Sequence, residues 1–234
     1  MTPWTAKSLA ALLDHTILRP AHTLDDVRQT CREAVQWGFH TVCASPYDLP
    51  LVADELAGTG VKVGAALGIP MGFGTCLQKA RAAEDAVAVG ADEVDFVVNL
   101  TAVASGRWND VADELQAMRS VTEGRVLKLI FETCYLDDDQ KRRLCDLCCE
   151  ARLDFVKTST GFGPGGATAE DIRLMKAQVA GRAQVKAAGG IRTVEQVRTM
   201  VEAGAVRIGT SAGVAIMQQF LGGKQDTAVR AGDE

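Results

Sequence analysis

Gln184-Val185-Lys186-Ala187-Ala188-Gly189-Gly190-Ile191-Arg192-Thr193 holds, in ten residues, a strand, a glycine turn and the start of a helix. The strand is predicted over 184–187, and Thr193 with Gln196 fits a capping box that opens a helix over about 193–203. That helix closes with Glu202-Ala203-Gly204-Ala205, and another strand is predicted over 206–208. The same closing phrase, an apolar helical pattern ended by glycine before a new strand, recurs at Gly38 and Gly90. It is a helix-to-strand joint, and glycine suits the left-handed conformation that ends a helix there.

Outward from this unit, strands are predicted over 39–43, 61–67, 93–98, 126–131 and 155–157. Helices are predicted over about 7–13, 23–37, 74–89, 107–122, 137–151 and 168–180, and a further one after Gly213. One polar, glycine or cysteine residue stands near each strand end: Asp14, Cys43, Gly68, Asp95, Lys128, Lys157, Lys186 and Gly209. The steps between them are 29, 25, 27, 33, 29, 29 and 23 residues, close to the roughly 30 residues of a βαβ unit. Eight such units predict a single-domain α/β fold, a (β/α)8 TIM barrel over 1–221, followed by a flexible polar tail over 222–234. A doubly wound open sheet is the competing architecture, but it would gather its ligand at one crevice, whereas here polar residues mark strand ends along the whole chain.

The 234 residues are 47% apolar and 24% charged, with a net charge of −5. That charge argues against a nucleic-acid or membrane-surface binder, which would need a basic face. The first residues show no leader pattern and no apolar run reaches 18 residues, so a cytoplasmic enzyme or binding protein is expected. The seven cysteines read as reduced thiols. Cys145, Cys148 and Cys149 share one helical face without a second ligand pair, which reads as core packing and not as a metal site. His15, His22 and His40 have no partner at metal or triad spacing and receive no catalytic role.

The chemistry centres on Asp154-Phe155-Val156-Lys157-Thr158-Ser159-Thr160-Gly161. An ammonium placed directly after Phe155 and Val156 is expensive to bury unless it is paired or discharged. Lys128 and Lys186 also lie inside apolar strands, and Asp95 sits between Val94 and Phe96. If Lys157 and Lys186 share one barrel mouth, repulsion and desolvation both favour a neutral amine, the nucleophile for a carbonyl carbon. Asp95 and Lys128 could then move protons, or they could form a buried structural ion pair; spacing leaves both readings open.

Two glycine loops follow the last two strands: Gly189-Gly190-Ile191-Arg192-Thr193 and Gly209-Thr210-Ser211-Ala212-Gly213. Glycines allow backbone N–H groups to approach an anion, and loops after the seventh and eighth strands are the usual phosphate site of such barrels. A phosphorylated substrate is expected, and no Walker-type loop appears. Cys43 could touch substrate from its strand end, although a buried inert thiol reads at least as well.

At this point the chain resembles the deoxyribose-phosphate aldolases, a family of class I aldolases. The matching segments are Leu13-Asp14-His15-Thr16-Ile17-Leu18, Val42-Cys43-Ala44-Ser45-Pro46, Gly90-Ala91-Asp92-Glu93-Val94-Asp95, Lys128-Leu129-Ile130-Phe131-Glu132-Thr133, Phe155-Val156-Lys157-Thr158-Ser159-Thr160-Gly161-Phe162, Val185 to Arg192, and Arg207-Ile208-Gly209-Thr210-Ser211. The resemblance implies reversible cleavage of 2-deoxy-D-ribose 5-phosphate to acetaldehyde and D-glyceraldehyde 3-phosphate, with no metal or organic cofactor. It implies Lys157 as the Schiff-base lysine, Lys186 as the group that lowers its pKa, and Asp95 as a proton relay through water. Asp14, Thr16 and Lys128 would hold substrate hydroxyls and support the relay. Thr160, Gly161, Gly189, Gly190, Arg192, Gly209, Thr210 and Ser211 would surround the phosphate. A homo-dimer or tetramer is implied as well. The chain departs from the family pattern in ending Ala231-Gly232-Asp233-Glu234 where some members carry a terminal tyrosine. Ile69 stands where phenylalanine is frequent, and Gly163-Pro164-Gly165-Gly166 is expected to loosen the loop after Lys157.

Overall fold

The structure, a computed structural model, describes residues 4–230, with side chains described up to residue 222. The chain alternates α1 (Ala6–Ala10), β1 (Leu13–Ile17), α2 (Leu24–Trp37), β2 (Thr41–Ala44), α3 (Leu49–Leu56), β3 (Lys62–Leu67), α4 (Cys76–Ala88) and β4 (Glu93–Val97). It continues through α5 (Leu100–Ala104), α6 (Trp108–Val121), β5 (Val126–Ile130), a 3-10 turn (Thr133–Tyr135), α7 (Asp138–Glu150), β6 (Phe155–Lys157), α8 (Ala169–Val179), β7 (Gln184–Ala188), α9 (Val194–Ala203), β8 (Arg207–Thr210) and α10 (Gly213–Arg230). Every strand runs parallel to the next, and β8 returns to β1 at Leu13↔Ile208 and Asp14↔Gly209, which closes an eight-stranded barrel. The predicted architecture is therefore the observed one.

The strands are buried on both faces, as a parallel sheet wrapped by helices requires, and β4 is buried throughout. Helix starts follow their side chains. Thr23, Thr75, Asp137 and Thr193 each accept from the third helical N–H while that residue's side chain returns a bond to the cap. The recurring glycine joint has the geometry its sequence suggests: Gly38, Gly90 and Gly204 all have left-handed φ, at 71°, 105° and 119°. These joints hold strand starts at one end of the barrel and leave strand ends free to build the other.

The first helix stops at Ala10 and Leu13 already belongs to β1, so the expected 7–13 helix is shorter than its apolar pattern. Helix α3 was not anticipated: its eight residues span too few turns for periodicity to show, and its cap Asp48 makes no side-chain capping bond. Cys145 and Cys148 are buried on α7, and all seven cysteines are free. The tail expected over 222–234 begins inside α10, and its last four residues, 231–234, lie outside the described residues. Among the described residues no helix is long and apolar enough to cross a membrane, and no group of three or more His, Cys, Asp or Glu side chains is placed to hold a metal.

Candidate active site

Strand register decides which charged side chains meet. Asp95 of β4 pairs with Lys128 of β5, and Lys157 of β6 pairs with Lys186 of β7. The Lys157 and Lys186 Nζ atoms each lie 2.8 Å from the same Asp95 Oδ2, while Lys128 Nζ takes Oδ1 at 2.7 Å. Lys186 also reaches Asp14 Oδ2 at 2.5 Å. That reach crosses β8, where Gly209 stands between β7 and β1. A Cβ on Gly209 would sit 3.2 Å from Lys186 Cε, so the missing side chain makes room for the lysine. Below this layer Lys128 contacts Glu93 at 2.6 Å, and Arg207 bridges Asp14 at 2.9 Å and Glu93 at 3.5 Å. Both cations lie over the ring of Phe155.

The pairing sets the charge states. Burial would raise the Asp95 pKa, but Lys128, Lys157 and Lys186 together hold it well below the ordinary carboxylate range. Asp14 is lowered in the same way against its burial, by Lys186, Lys128 and Arg207, and Glu93 is lowered against burial by His40, Lys128 and Arg207. Burial works against the Lys186 ammonium, yet Asp14 and Asp95 raise its pKa above the usual lysine range. Lys186 is thus a fixed cation. Burial, then the Asp95 charge, pushes the Cys43 thiol up, as expected of an inert thiol.

A cavity of about 560 Å³ opens at the strand ends. Of the three buried strand lysines only Lys157 lines it, together with Thr16, Thr160, Gly161, Gly189, Gly190, Arg192, Gly209, Thr210 and Ser211. Asp14, Cys43, Asp95, Lys128 and Lys186 are buried beneath its floor. Among the described residues the backbone N–H groups of Gly161, Gly189, Gly190 and Ser211 have no hydrogen-bond acceptor, and all four residues line the one concavity. Such a nest suits an anion. The Thr210 hydroxyl is engaged within its own loop, donating to Ile191 O at 2.7 Å and accepting from Ala212 N–H at 2.9 Å.

The glycine-rich segment after Lys157 is packed tightly. A Cβ on Gly166 would stand 2.3 Å from the carbonyl oxygen of Gly189, and one on Gly165 2.9 Å from Cys134 Cβ. These glycines serve close approach between two loops, where the sequence suggested looseness. The histidines gain partners that sequence spacing could not reveal: His15 with Glu33, His22 with Asp48 and His40 with Glu93, at 2.9, 2.9 and 3.2 Å. His15 lines the cavity, and burial lowers its pKa while Glu33 opposes the shift. Glu93, Arg207 and Glu132 were also missed as parts of the assembly. Glu93 and Glu132 had a visible signal, a carboxylate in or at the end of an apolar strand.

A closed barrel with one lysine facing a glycine-walled cavity at its mouth has the build of a lysine-centred barrel lyase. Residues 8–219 match the model of the DeoC/LacD family aldolases. The chain is 43% identical over 224 residues to the deoxyribose-phosphate aldolase of Carboxydothermus hydrogenoformans, covering 94% of this chain and 98% of that one. It is 45% identical over 210 residues to the deoxyribose-phosphate aldolase of Deinococcus radiodurans, covering 90% and 96%. The structure of a deoxyribose-phosphate aldolase from Aeropyrum pernix, described as tetrameric, superposes with a TM-score of 0.84 at 31% identity, covering 92% of each chain. The chain belongs to the DeoC/LacD aldolase family and is a lyase.

Proposed function

We propose that this aldolase reversibly cleaves 2-deoxy-D-ribose 5-phosphate to acetaldehyde and D-glyceraldehyde 3-phosphate through a Schiff base on Lys157, in the cytoplasmic breakdown of deoxyribose phosphates. The observation that carries the reading is the solitary access of Lys157: it lines the cavity while Asp95, Lys128 and Lys186 stay below. The cluster holds three carboxylates (Asp14, Glu93, Asp95) against four cations (Lys128, Lys157, Lys186, Arg207). Loss of one proton leaves it neutral, and Lys157 is the cation with a path to a substrate. The choice of substrate is supported by the family resemblance, by the names of the relatives and by the anion nest beside the lysine.

In this reading the Lys157 amine attacks C1 of the open-chain aldehyde, and the adduct loses water to give an iminium. The C3 hydroxyl gives its proton to a water held by Asp95, the C2–C3 bond breaks, and its electrons pass to the iminium as glyceraldehyde 3-phosphate departs. The resulting enamine takes a proton back at C2. Hydrolysis then frees acetaldehyde and restores the amine. Lys186 stays charged and keeps Asp95 ionised and oriented. Thr16 meets the substrate hydroxyls from the cavity wall, with Asp14, Cys43 and Lys128 supporting from beneath. The N–H groups of Gly161, Gly189, Gly190 and Ser211 hold the phosphate, with Gly209 and Thr210 shaping that loop and Arg192 at its rim.

Incubation with deoxyribose 5-phosphate should release acetaldehyde and glyceraldehyde 3-phosphate in equal amounts, read by coupled dehydrogenases. A larger sugar phosphate consumed with no acetaldehyde formed would point to a different lysine aldolase. The assembly is proposed to be a homo-dimer or tetramer, to be read by light scattering.

A further inference from the structure

We propose that Glu132, at the end of β5, is a positioning residue that selects phosphorylated substrates by fixing the turn after Lys157. It rests on the phosphate site argued above. Glu132 is fully buried, and its φ of 54° puts it in the left-handed region that residues with side chains rarely adopt. Among the described residues no cation pairs with its carboxylate. A buried carboxylate without a counterion persists only where hydrogen bonds satisfy it. Here the close ones come from one residue, while Cys134 Sγ donates to Oε1 at 3.9 Å. Glu132 Oε2 accepts from the Thr160 N–H at 3.0 Å and also from the Thr160 hydroxyl in a short contact. The hydroxyl in turn accepts from the Phe162 N–H at 3.0 Å.

The consequence is an accounting of donors. Both donors of Thr160 and the N–H of Phe162 are engaged, so from Thr160 to Phe162 the N–H of Gly161 is the donor left over, and Gly161 lines the cavity with a φ of 89°. Thr160 therefore serves the ligand by being held, and Glu132 is what holds it. Neighbouring contacts tie the same two strand ends. Thr133 N–H donates to Thr158 O at 3.1 Å, and a Cβ on Gly163 would stand 3.1 Å from both Glu132 Oε1 and Cys134 Sγ. Lys157 itself is anchored by Asp95, on the far side of this latch. Loss of the Glu132 carboxylate should thus weaken phosphate recognition more than the chemistry at Lys157.

The test compares kcat/KM for 2-deoxyribose 5-phosphate and for unphosphorylated 2-deoxyribose in the wild type, Glu132→Ala and Glu132→Gln. The ratio of the two values should fall about tenfold or more in Glu132→Ala, mainly through KM for the phosphate ester, as two bonds to a charged acceptor are lost. Glu132→Gln, whose amide oxygen can accept both Thr160 bonds, should restore the ratio to within about threefold of wild type. An unchanged ratio in Glu132→Ala, or a glutamine variant as impaired as the alanine one, overturns the role of Glu132. A wild type with no preference for the phosphate ester overturns the phosphate site and the inference with it. Should Glu132→Ala not fold, Thr160→Val removes one bond of the latch from the other side; the ratio should fall there too, and an unchanged ratio overturns the proposal.

Discussion

Lys79 and Lys157 are both buried beside carboxylates, and only one of them reaches the cavity. Lys79, on α4, directs its ammonium to both Glu114 oxygens at 2.9 and 2.8 Å and to the Val97 carbonyl at 2.8 Å. One cation meets one carboxylate, and all three ammonium donors are used. Burial lowers the Lys79 pKa and raises that of Glu114, with the partner opposing the shift in each case. In the barrel, Lys157 and Lys186 divide a single carboxylate oxygen, cations outnumber carboxylates, and Lys157 borders open space. Burial of a lysine does not mark chemistry. Unequal charge beside a cavity is what sets Lys157 apart from Lys79.

The two lysines should therefore fail in opposite ways. Lys157→Ala should cut turnover by about 10⁴-fold or more. Its unfolding free energy should change by no more than about 1 kcal/mol, because the remaining charges balance. Lys79→Met should destabilise the fold by about 3 kcal/mol in urea unfolding by leaving Glu114 buried and unpaired, and the double change Lys79→Met with Glu114→Leu should recover most of that loss. A Lys157→Ala protein that unfolds as readily as Lys79→Met would erase the distinction.

Within the barrel cluster, Lys186→Leu removes a fixed cation and should slow turnover about tenfold or more. Turnover within about twofold of wild type would remove Lys186 from that role.

The smallest effect is on acid stability. Asp14, Glu93 and Asp95 are all lowered in the fold, so below about pH 4 to 5 the unfolded chain takes up protons that the folded chain refuses. Their stabilisation is complete above that range and is lost progressively as pH falls through it. Glu114 is raised and has the opposite sign, so it does not add to the loss. Urea midpoints at pH 7, 5 and 3.5 should show the decline, and a midpoint constant to pH 3.5 would contradict the pairing.

The sequence shows the barrel readily because charged or glycine residues punctuate apolar strands at near-constant intervals, which short helices such as α3 and α5 do not disturb. Lys128, Lys157 and Lys186 stood out for the same reason. Their partners were harder to see. Asp14 meets Lys186 and Arg207 only after β8 closes onto β1, and Gly209 matters to that contact by lacking a side chain. Glu132 stood in a conspicuous motif, but its bond to Thr160 spans 28 residues and joins two strand ends, a relation that no local pattern encodes. The glycines of 163–166 read as flexibility in one dimension and are close contacts in three.

The most direct measurement is reductive trapping. Wild-type protein treated with acetaldehyde and borohydride should gain one ethyl group, and peptide mapping should place it on Lys157, with none on the Lys157→Ala variant. Trapping on Lys186 or Lys128, or no adduct at all, would contradict the assignment of Lys157 as the Schiff-base lysine.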